Sequence, residues 1–571
     1  MSSFTAFNLD TLFEQQFFSN LDYFFARSMA QAFDENDPIV LTTCALVSKA
    51  LFQGHICIDI GAVSGPVKAV SETVSDQIRF PDSGTWITAL KKSLMVSENI
   101  RTPLVLDSDH RLYLSKYYDF QNRLVQNISQ RIFLSPENMT ALAVDELLES
   151  YFSSSDTHVS HQKKAVKNAV LNQFTIISGG PGTGKTFVTA VITRMFLAYA
   201  KRFGLPEPRI LCVAPTGKAA SKMENGHTIH SVLRPLKDTP GFYYNKDNQL
   251  QKDVVIIDEA SMIDISLLVR LLEAIPFKAK VIMIGDKDQL SSVQAGAVYS
   301  DICSVEELSS NRFVLDYNFR SRGKTGIDLL AKAIKGKDVH SLEEILTSGK
   351  YPDVVFEPIH HNGFIFDTVH HHITEGYTSF VCAEAVESAL EELDTFKILC
   401  AHNSGEYGTL QINHVCEKIL RSRRNFDIQD RVFKNMIMVN TNDYKKGLFN
   451  GDTGIVFEKN GEKAAFFKNP DKTIKQYRTS DLPGYDTAFA ITIHKSQGAE
   501  FDSILMMIPD RISPVITRQL LYTGVTRARQ KVIIIGKMEI IKAAVGLNVE
   551  RNSGIGKYLK KAIRRIEKKL F

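Results

Sequence analysis

The stretch ISGGPGTGKTFVTA, residues 177–190, constrains the fold more than any other part of the chain. A glycine, four residues and then Gly-Lys-Thr is the spacing of a phosphate-binding loop, whose backbone N–H groups and helix N-terminus attract an anion. QFTII before it is typical of a buried strand, and FVTAVITRMFLAYA after it has helical apolar spacing. We therefore predict a nucleotide site in an α/β domain, formed by Gly179, Gly180, Pro181, Gly182, Thr183, Gly184, Lys185 and Thr186.

The composition is that of an ordinary globular protein. The chain has 571 residues, and its 44% of apolar residues can fill several cores. The net charge of +4 neither indicates nor excludes a nucleic-acid partner. Seven scattered cysteines without a Cys-x-x-Cys pair favour reduced thiols, and neither a leader nor an apolar run of membrane length is apparent. We expect a cytoplasmic protein.

The chain has three successive regions that differ in sequence pattern. Residues 1–110 have mainly helical apolar spacing and no recognisable chemistry. After the Ser-rich break YFSSSDTHVS, apolar β runs alternate with helical segments, which predicts parallel sheets. Residues 435–486 change to short strands joined by Gly-Asp, Asn-Gly and Asn-Pro turns. This pattern indicates an inserted small β module.

Acidic and basic residues near strand ends are candidates for the chemistry. Asp258 and Glu259 follow the apolar run VVII, where one carboxylate can hold Mg²⁺ and its neighbour can orient an attacking water. Gln289 follows another strand and is placed to sense a γ-phosphate. Arg320 and Arg527 each follow an apolar segment and could stabilise a transferred phosphoryl group, although most arginines only solvate a surface.

Seven segments occur in a fixed order: GGPGTGKT, APTGKAA, IIDEASMID, GDKDQLSSVQAG, DYNFRSR, AITIHKSQGAEFD and LLYTGVTRAR. This series resembles the motifs of superfamily 1 helicases, in the variant typical of the RecD family, over roughly residues 160–540. The N-terminal segments ALVSKALFQGHICIDI and TPLVLDSDHRLYLSKYY resemble that family too. The resemblance implies two RecA-like P-loop lobes with ATP and Mg²⁺ between them, and an SH3-like insertion in the second lobe.

The resemblance also assigns roles to nucleotide-site residues. Gln162 is expected to recognise adenine, and Gly498 and Glu500 to line the nucleotide site. Arg320 and Arg527 would complete the site from the second lobe. The residues that would hold and hydrolyse ATP are Lys185, Thr186, Asp258, Glu259 and Gln289, with Thr186 and Asp258 as Mg²⁺ ligands.

A DNA track is implied as well. The short side chains and amides of the residues named below suit contact with the DNA backbone rather than recognition of bases. The family moves 5′ to 3′ along single-stranded DNA and unwinds double-stranded DNA, in a heterotrimer with RecB-like and RecC-like subunits. The implied DNA contacts are Pro215, Thr216, Lys218, His227, Thr228, His230, Thr492, His494 and Lys495.

We divide the chain into four parts on this basis. Residues 1–110 form a helical docking domain, 111–155 a linker, 156–330 the first lobe, and 331–571 the second lobe with its insertion. The last of these ends in a basic amphipathic helix, with an apolar stripe at Leu559, Ala562, Ile563, Ile566 and Leu570. We expect this helix to be solvated and packed on the second lobe; DNA or an acidic partner is the alternative.

Two other clusters carry weaker signals. His360, His361 and His370–His372 resemble metal ligands, but consecutive histidines point in different directions and we expect no metal there. Four Pro-Asp pairs lack a nearby Glu-x-Lys, so we expect no nuclease site.

Two rival functions remain open. One is a stand-alone RecD-like helicase, which would normally carry helix-hairpin-helix repeats that residues 1–150 do not show. The other is an assembly subunit with a regulatory or idle ATPase, against which the full set of nucleotide-site residues argues.

Overall fold

The chain was analysed as a computed structural model. It describes residues 7–63, 80–134, 139–152, 157–237, 239, 241–292, 294–319, 325–359, 365–422, 432–443, 445–459, 462–469, 473–547 and 551–570. Among these, none of the helices combines the length and apolar character needed to cross a bilayer.

The N-terminal domain combines helices with a small sheet. Its elements are α1 Leu9–Glu14, α2 Asn20–Phe33, α3 Pro38–Phe52, β1 Cys57–Asp59, α4 Ile60–Val63, α5 Ser83–Lys92, β2 Val96–Ser97, β3 Leu104–Leu106 and β4 Arg111–Leu114. Asp37 caps α3 directly before a proline at its first position. The predicted helices are present, but the sheet, in the order β1-β4-β3-β2, was not predicted. Trp86 is fully buried in this domain and donates to Thr43 Oγ1 at 2.8 Å.

The first lobe is a six-stranded parallel sheet covered by helices. Its strand order is β10-β5-β9-β8-β6-β7. The elements are α6 Ser115–Ile132, α7 Ala141–Glu149, α8 Thr157–Leu171, β5 Phe174–Gly179, α9 Lys185–Arg202, β6 Ile210–Ala214, α10 Gly217–Ala220, β7 Gly226–Thr228, α11 Ile229–Leu233, β8 Val254–Ile257, α12 Ile265–Ala274, β9 Lys280–Gly285, α13 Val298–Ser304 and β10 Arg312–Leu315.

The second lobe has its own five-stranded parallel sheet, in the order β11-β20-β19-β12-β18. An antiparallel sheet, β16-β15-β14-β13-β17, is inserted before β18 and matches the predicted β module. The elements are α14 Gly326–Gly336, α15 Val339–Thr347, β11 Val354–Pro358, α16 Ile365–Gly376, α17 Thr378–Cys382, α18 Val386–Glu391, β12 Phe396–Cys400, α19 Thr409–Ser422, β13 Val432–Val439, β14 Thr453–Lys459, β15 Glu462–Lys468, β16 Ile474–Arg478, β17 Tyr485–Thr487, β18 Ala490–Thr492, β19 Phe501–Met507, α20 Arg518–Val525, β20 Ala528–Gly536, α21 Met538–Gly546 and α22 Ile555–Leu570.

Two predicted boundaries differ from the structure. The segment 111–155 is not a linker, because α6 packs on α12 and contributes to the core of the first lobe. The C-terminal helix α22 does not pack on the second lobe: Ile555, Leu559 and Ile563 are buried against α6 and α13 of the first lobe. An apolar stripe requires a partner surface, but it does not specify which one.

Candidate nucleotide and DNA site between the lobes

The phosphate loop connects β5 to α9 and depends on its glycines. Gly182 and Gly184 have φ of +76° and +85°, a region that side-chain-bearing residues rarely adopt. A Cβ atom on Gly182 would lie 2.2 Å from Asn318 Oδ1, and one on Gly184 would lie 2.3 Å from Gln162 Nε2. The loop is therefore pressed against neighbouring polar side chains on both sides.

Lys185 begins α9 and its ammonium lies inside the loop. Its Nζ donates to the carbonyl oxygens of Gly179 at 2.8 Å and Gly180 at 3.0 Å. Thr183 Oγ1 also donates to the Gly180 carbonyl, at 2.8 Å. Thr186 is exposed in the first turn of α9. Lys185, which is predicted to bind phosphate, and Thr186, which is predicted to bind Mg²⁺, thus lie together at the N-terminus of α9.

Gln162 on α8 is buried and contacts the same loop. Its Nε2 donates to the carbonyl oxygen of Thr183 at 3.1 Å. This contact brings a residue from 21 positions earlier against the phosphate loop. Its predicted role with adenine stays a prediction.

Asp258 and Glu259 follow β8, which lies two strands from β5 in the sheet. Burial first, and then the negative charge of Glu259, raise the pKa of Asp258, while Lys185 opposes the shift. Asp258 Oδ1 accepts a hydrogen bond from the Glu259 N–H at 2.8 Å. Glu259 has a φ of +49°, and its Oε2 is buried without a hydrogen-bond partner among the described residues. Such an orphaned carboxylate oxygen is suited to accept a hydrogen bond from a substrate water.

Asp286 directly follows β9, and its carboxylate binds side chains of both lobes. The sequence analysis did not identify it as a site residue. Its Oδ2 accepts hydrogen bonds from Gln289 Nε2 and from the Tyr522 hydroxyl, each at 3.1 Å. Burial raises the pKa of Asp286, against the charge of Lys185. Tyr522 belongs to α20 of the second lobe, so this buried carboxyl group joins the two lobes beside the phosphate loop.

The cleft is closed by further contacts between the lobes. The Leu290 N–H donates to Thr523 Oγ1 at 2.9 Å, and Gln497 Nε2 donates to the Leu290 carbonyl at 2.8 Å. Lys335 forms an ion pair with Asp288 at 2.7 Å. Residues of both lobes line the cavity, among them Gly180, Pro181, Asp286, Asn318, Asp328, Lys335, Tyr522 and Arg529.

The two predicted arginine fingers differ in what the structure describes. Arg320 lies outside the described residues. Arg527 is buried, and its guanidinium donates to the carbonyl oxygens of Thr523 at 3.1 Å and Ala499 at 3.0 Å. It follows α20, the helix that carries Tyr522 to the phosphate loop. Its role on a transferred phosphoryl group stays a prediction.

Gly498 and Glu500 lie near the contact between the lobes, and their roles at the nucleotide site stay predictions. A Cβ atom on Gly498 would lie 3.4 Å from Thr216 Oγ1 and 3.5 Å from Ala219 Cβ, so this glycine faces the segment that begins α10. Glu500 forms an ion pair with Arg529 at 3.6 Å, and Arg529 lines the cleft. Glu500 therefore reaches the nucleotide cleft through Arg529.

The predicted DNA contacts come from both lobes. Thr216 and Thr228 cap α10 and α11, and the exposed His227 lies on β7 between these helices. Lys218 pairs with Asp394 at 3.1 Å, a contact between the lobes. A small cavity has both lobes in its lining, with Thr216, Lys218 and Lys495 among its residues.

The remaining residues of this set lie close to those. Pro215 directly follows β6, Thr492 ends β18, and His230 lies 5.8 Å from Phe242, measured between ring centres. Lys495 pairs with Asp486 at 3.2 Å. Burial, followed by the charge of Arg551, lowers the pKa of His494.

The argument against a histidine cluster is wrong for two of its members. His372 Nε2 lies 2.9 Å from Glu357 Oε1, and His371 Nε2 lies 3.8 Å from the same oxygen. Consecutive side chains of α16 thus converge on one carboxylate of the edge strand β11, where potential ligand atoms lie within 4.8 Å of one another. His360 and His361 lie outside the described residues.

Comparison with known proteins shows which families the chain resembles. Family models match three regions: "RecBCD enzyme subunit RecD, N-terminal domain" at 14–113, "AAA domain" at 162–295, and "UvrD-like helicase C-terminal domain" at 487–535. RecBCD enzyme subunit RecD of Mycolicibacterium smegmatis is 30% identical over 95% of this chain and 97% of that protein.

Two further similarities are more distant. The ATP-dependent RecD2 DNA helicase of Deinococcus radiodurans is 25% identical over 67% of this chain and 50% of that protein. A solved structure of two coordinating Pif1 helicases at forked dsDNA has a TM-score of 0.38 and 16% identity, over 71% of this chain and 94% of that one. From the near-complete match to RecD, the chain belongs to the RecD family of superfamily 1, a family of ATP-dependent DNA helicases.

Proposed function

We propose that the chain is a 5′–3′ DNA translocase and helicase that works as a motor subunit of a RecBCD-type helicase–nuclease in double-strand-break repair and recombination. The observation that supports this best is the buried contact of Tyr522 with Asp286 beside the phosphate loop. It joins the second lobe directly to a first-lobe strand end. ATP bound in the cleft therefore controls how the lobes meet, which is the step that drives movement along DNA.

Each side chain of the cleft has a role in ATP hydrolysis. Lys185 contacts the β- and γ-phosphates, and the phosphate loop donates its N–H groups to them. Glu259, with its unpartnered oxygen, orients the attacking water, and Gln289 senses the γ-phosphate. Arg320 and Arg527 would stabilise the charge that develops on the transferred group.

The residues present fit Mg²⁺. The Asp258 carboxylate is buried beside a second carboxylate, a pairing of negative charge that a cation would relieve, and Thr186 is the second residue of α9, next to Lys185. When bound, Mg²⁺ would be held by Asp258 and Thr186 and would supply positive charge that neutralises the phosphates. Gln162 holds the loop through its hydrogen bond to the Thr183 carbonyl, and we propose that it also binds adenine.

The DNA track crosses both lobes on the side of the cavity lined by Thr216 and Lys495. Its lysines pair with carboxylates of the same chain, Lys218 with Asp394 and Lys495 with Asp486. A phosphate of single-stranded DNA can replace each carboxylate as the counter-charge of the lysine, and the displaced carboxylate, which is about half exposed, is then solvated by water. Binding of DNA is therefore expected to alter the lobe contact at Lys218.

The N-terminal domain is proposed to dock a RecC-like subunit, next to a RecB-like one. Leu21 and Phe24 lie one helical turn apart on α2, with 56% and 61% of their surfaces exposed. Exposed apolar pairs of this kind mark protein interfaces. In co-expression with RecB-like and RecC-like subunits, the double variant Leu21→Glu and Phe24→Glu should fail to co-purify. Leu142→Glu, on exposed α7 of the first lobe, is the matched control.

The rival functions are less well supported. The relatives favour a subunit over a stand-alone helicase, because the RecD match spans 97% of its relative while the RecD2 match spans half. A regulatory ATPase is less compatible with a cleft that retains Lys185, Asp258, Glu259 and Gln289 together.

The test is the ATPase rate of the purified chain with and without single-stranded DNA. Stimulation that disappears in Lys185→Ala supports a DNA-driven motor. A rate that ignores DNA, in the free chain and in the complex alike, would instead favour the regulatory ATPase.

A further inference from the structure

The last described segment, residues 551–570, connects parts of the molecule that are distant in sequence. Asn552 accepts hydrogen bonds at its carbonyl from the N–H groups of Ile56 at 2.9 Å and Cys57 at 3.4 Å. Its own N–H donates to His55 Nδ1 at 3.0 Å. The segment therefore pairs with the N-terminal domain where β1 begins.

Helix α22 fixes this segment in place. Leu559 and Ile563 are buried against the first lobe. The Tyr558 hydroxyl donates to Asp107 Oδ2 at 3.0 Å, and Ser553 Oγ donates to Asp301 Oδ2 at 2.5 Å. The residue just before these anchors, Arg551, thus has a defined position.

Arg551 binds the C-terminal end of a loop that begins in the ATP cleft. We call this the cleft loop, residues 286–292 and 294–296. Arg551 Nη1 donates to the carbonyl oxygens of Ser292 at 2.6 Å, Gln294 at 3.2 Å and Gly296 at 3.2 Å. The Gly296 N–H donates in turn to the Gly54 carbonyl of the N-terminal domain at 2.8 Å.

Close packing around the guanidinium supports a specific site. A Cβ atom on Gly54, whose φ is +87°, would lie 2.7 Å from Arg551 Nε. Burial lowers the pKa of Arg551, and the charge of Asp301 opposes that shift. A half-buried guanidinium is stabilised by acceptors for its donors, and three carbonyl oxygens of the cleft loop accept hydrogen bonds from Nη1 here.

The near end and middle of the cleft loop are held by other elements. Asp286 and Gln289 stand in the nucleotide cleft, and Leu290 is bound at both its N–H and its carbonyl by the second lobe. One loop is therefore held at the ATP site, at the second lobe and at Arg551. The loop is therefore a continuous physical connection between these three contacts.

We propose that Arg551 is a positioning residue that couples the N-terminal domain to ATP hydrolysis through the cleft loop. It holds Ser292, Gln294 and Gly296, the last of which binds Gly54, and this sets the position of Gln289 when the lobes close. The inference rests on the proposed function, and it adds a route by which a protein bound to the N-terminal domain regulates the motor. Gln497 Nε2 donates to the Leu290 carbonyl at 2.8 Å, and Gln497 lies in the same segment as His494 and Lys495 of the predicted DNA track, so the cleft loop also contacts that track.

The experiment compares full-length Arg551→Ala and Arg551→Lys with wild type. Arg565→Ala, an exposed position on helix α22 that follows Arg551, is the matched control. Each protein is measured for melting temperature, for basal ATPase rate and KM for ATP, and for ATPase rate with saturating single-stranded DNA. Amide hydrogen exchange is followed in peptides that cover the cleft loop.

Arg551→Ala should keep the basal ATPase rate and the KM for ATP within about twofold. The stimulation of the ATPase rate by DNA should fall at least about fivefold, which is the lower end of the coupling found between two sites in one protein. Amides of residues 292–296 should exchange at least about tenfold faster, because their anchor is gone. Arg551→Lys should be intermediate, since one ammonium cannot reproduce the guanidinium fork. Arg565→Ala should match wild type in every measurement.

Two results would overturn the inference. In one, Arg551→Ala retains full DNA stimulation with unchanged exchange in the cleft loop. In the other, basal and stimulated rates fall by the same factor together with the melting temperature, which indicates a purely structural anchor. Failure of the proposed function has a different signature, because wild type itself would then show no stimulation by DNA.

Discussion

Replacing Tyr522 with phenylalanine isolates the contact that joins the lobes at the ATP site. The substitution keeps the ring packing and removes only the hydroxyl that donates to Asp286 Oδ2 at 3.1 Å. Both side chains are buried, with 6% and 2% of their surfaces exposed, so water cannot readily replace the lost donor. Asp286 keeps Gln289 Nε2 and the Asp288 N–H as partners, which limits the damage to one hydrogen bond.

The magnitude follows from the character of that bond. A hydrogen bond to a charged acceptor contributes about 1.5–3 kcal/mol. If this free energy stabilises the state in which the lobes are closed on ATP, its loss lowers kcat/KM for ATP by about 10- to 150-fold. The assay is steady-state ATP hydrolysis with saturating single-stranded DNA, in parallel with thermal unfolding.

Tyr299→Phe is the matched control. Its hydroxyl donates to the Ile177 carbonyl at 2.8 Å, a buried hydrogen bond that stays within the first lobe. We expect this variant to melt at a lower temperature while kcat/KM stays within about threefold, since the bond stabilises the lobe alone. The reasoning is refuted if Tyr522→Phe stays within about twofold of wild type, or if both variants lose activity equally.

Three further predictions concern the same cleft. Lys185→Ala should abolish DNA-stimulated ATP hydrolysis and leave DNA binding and melting temperature largely intact, measured by fluorescence anisotropy and calorimetry; substantial residual ATPase would contradict the assignment of the site. Arg527→Ala should lower the stimulated rate by about 10³ if it acts as a finger, whereas a loss below about tenfold would leave it only its contacts with Thr523 and Ala499. Hydrolysis at limiting Mg²⁺ should fall as pH drops through about 6, because burial raises the pKa of Asp258 to that value and the protonated acid does not bind the cation. Raising Mg²⁺ should move this midpoint to lower pH, and a midpoint that ignores Mg²⁺ would contradict the role of Asp258.

The nucleotide site could be predicted from the sequence because its parts are local. The phosphate loop spans eight positions, and Asp258 and Glu259 directly follow an apolar run. Parallel strands then bring such strand ends to one edge of the sheet, whatever the distance between them in the chain. The β insertion was equally visible, because turn residues mark its strands.

Contacts between distant residues could not be predicted in this way. The Asp286–Tyr522 bond joins residues 236 positions apart, and nothing local to either residue indicates the other. Helix α22 showed its apolar stripe but not its partner, which is α6 of the first lobe. The N-terminal sheet was missed because its strands have two to four residues, too few for an alternating pattern to appear.

The contacts between the N-terminal domain and the rest of the chain also decide how partner docking should be tested. Deleting residues 1–110 would remove Gly54, Ile56 and Asp107, which bind the cleft loop and the segment 551–570. Such a deletion would disturb the motor itself. Surface substitutions on α2 leave those contacts in place, and they separate partner binding from ATP hydrolysis.

Strand separation by the purified chain tests the central claim most directly. A labelled duplex is prepared with a single-stranded tail at its 5′ end or at its 3′ end, and unwinding is followed with ATP and Mg²⁺ for wild type and Lys185→Ala. We predict that wild type separates the 5′-tailed duplex, leaves the 3′-tailed one paired and cuts neither, and that Lys185→Ala separates neither. Unwinding that persists in Lys185→Ala, or that requires the 3′ tail, would contradict an ATP-driven motor with 5′–3′ polarity.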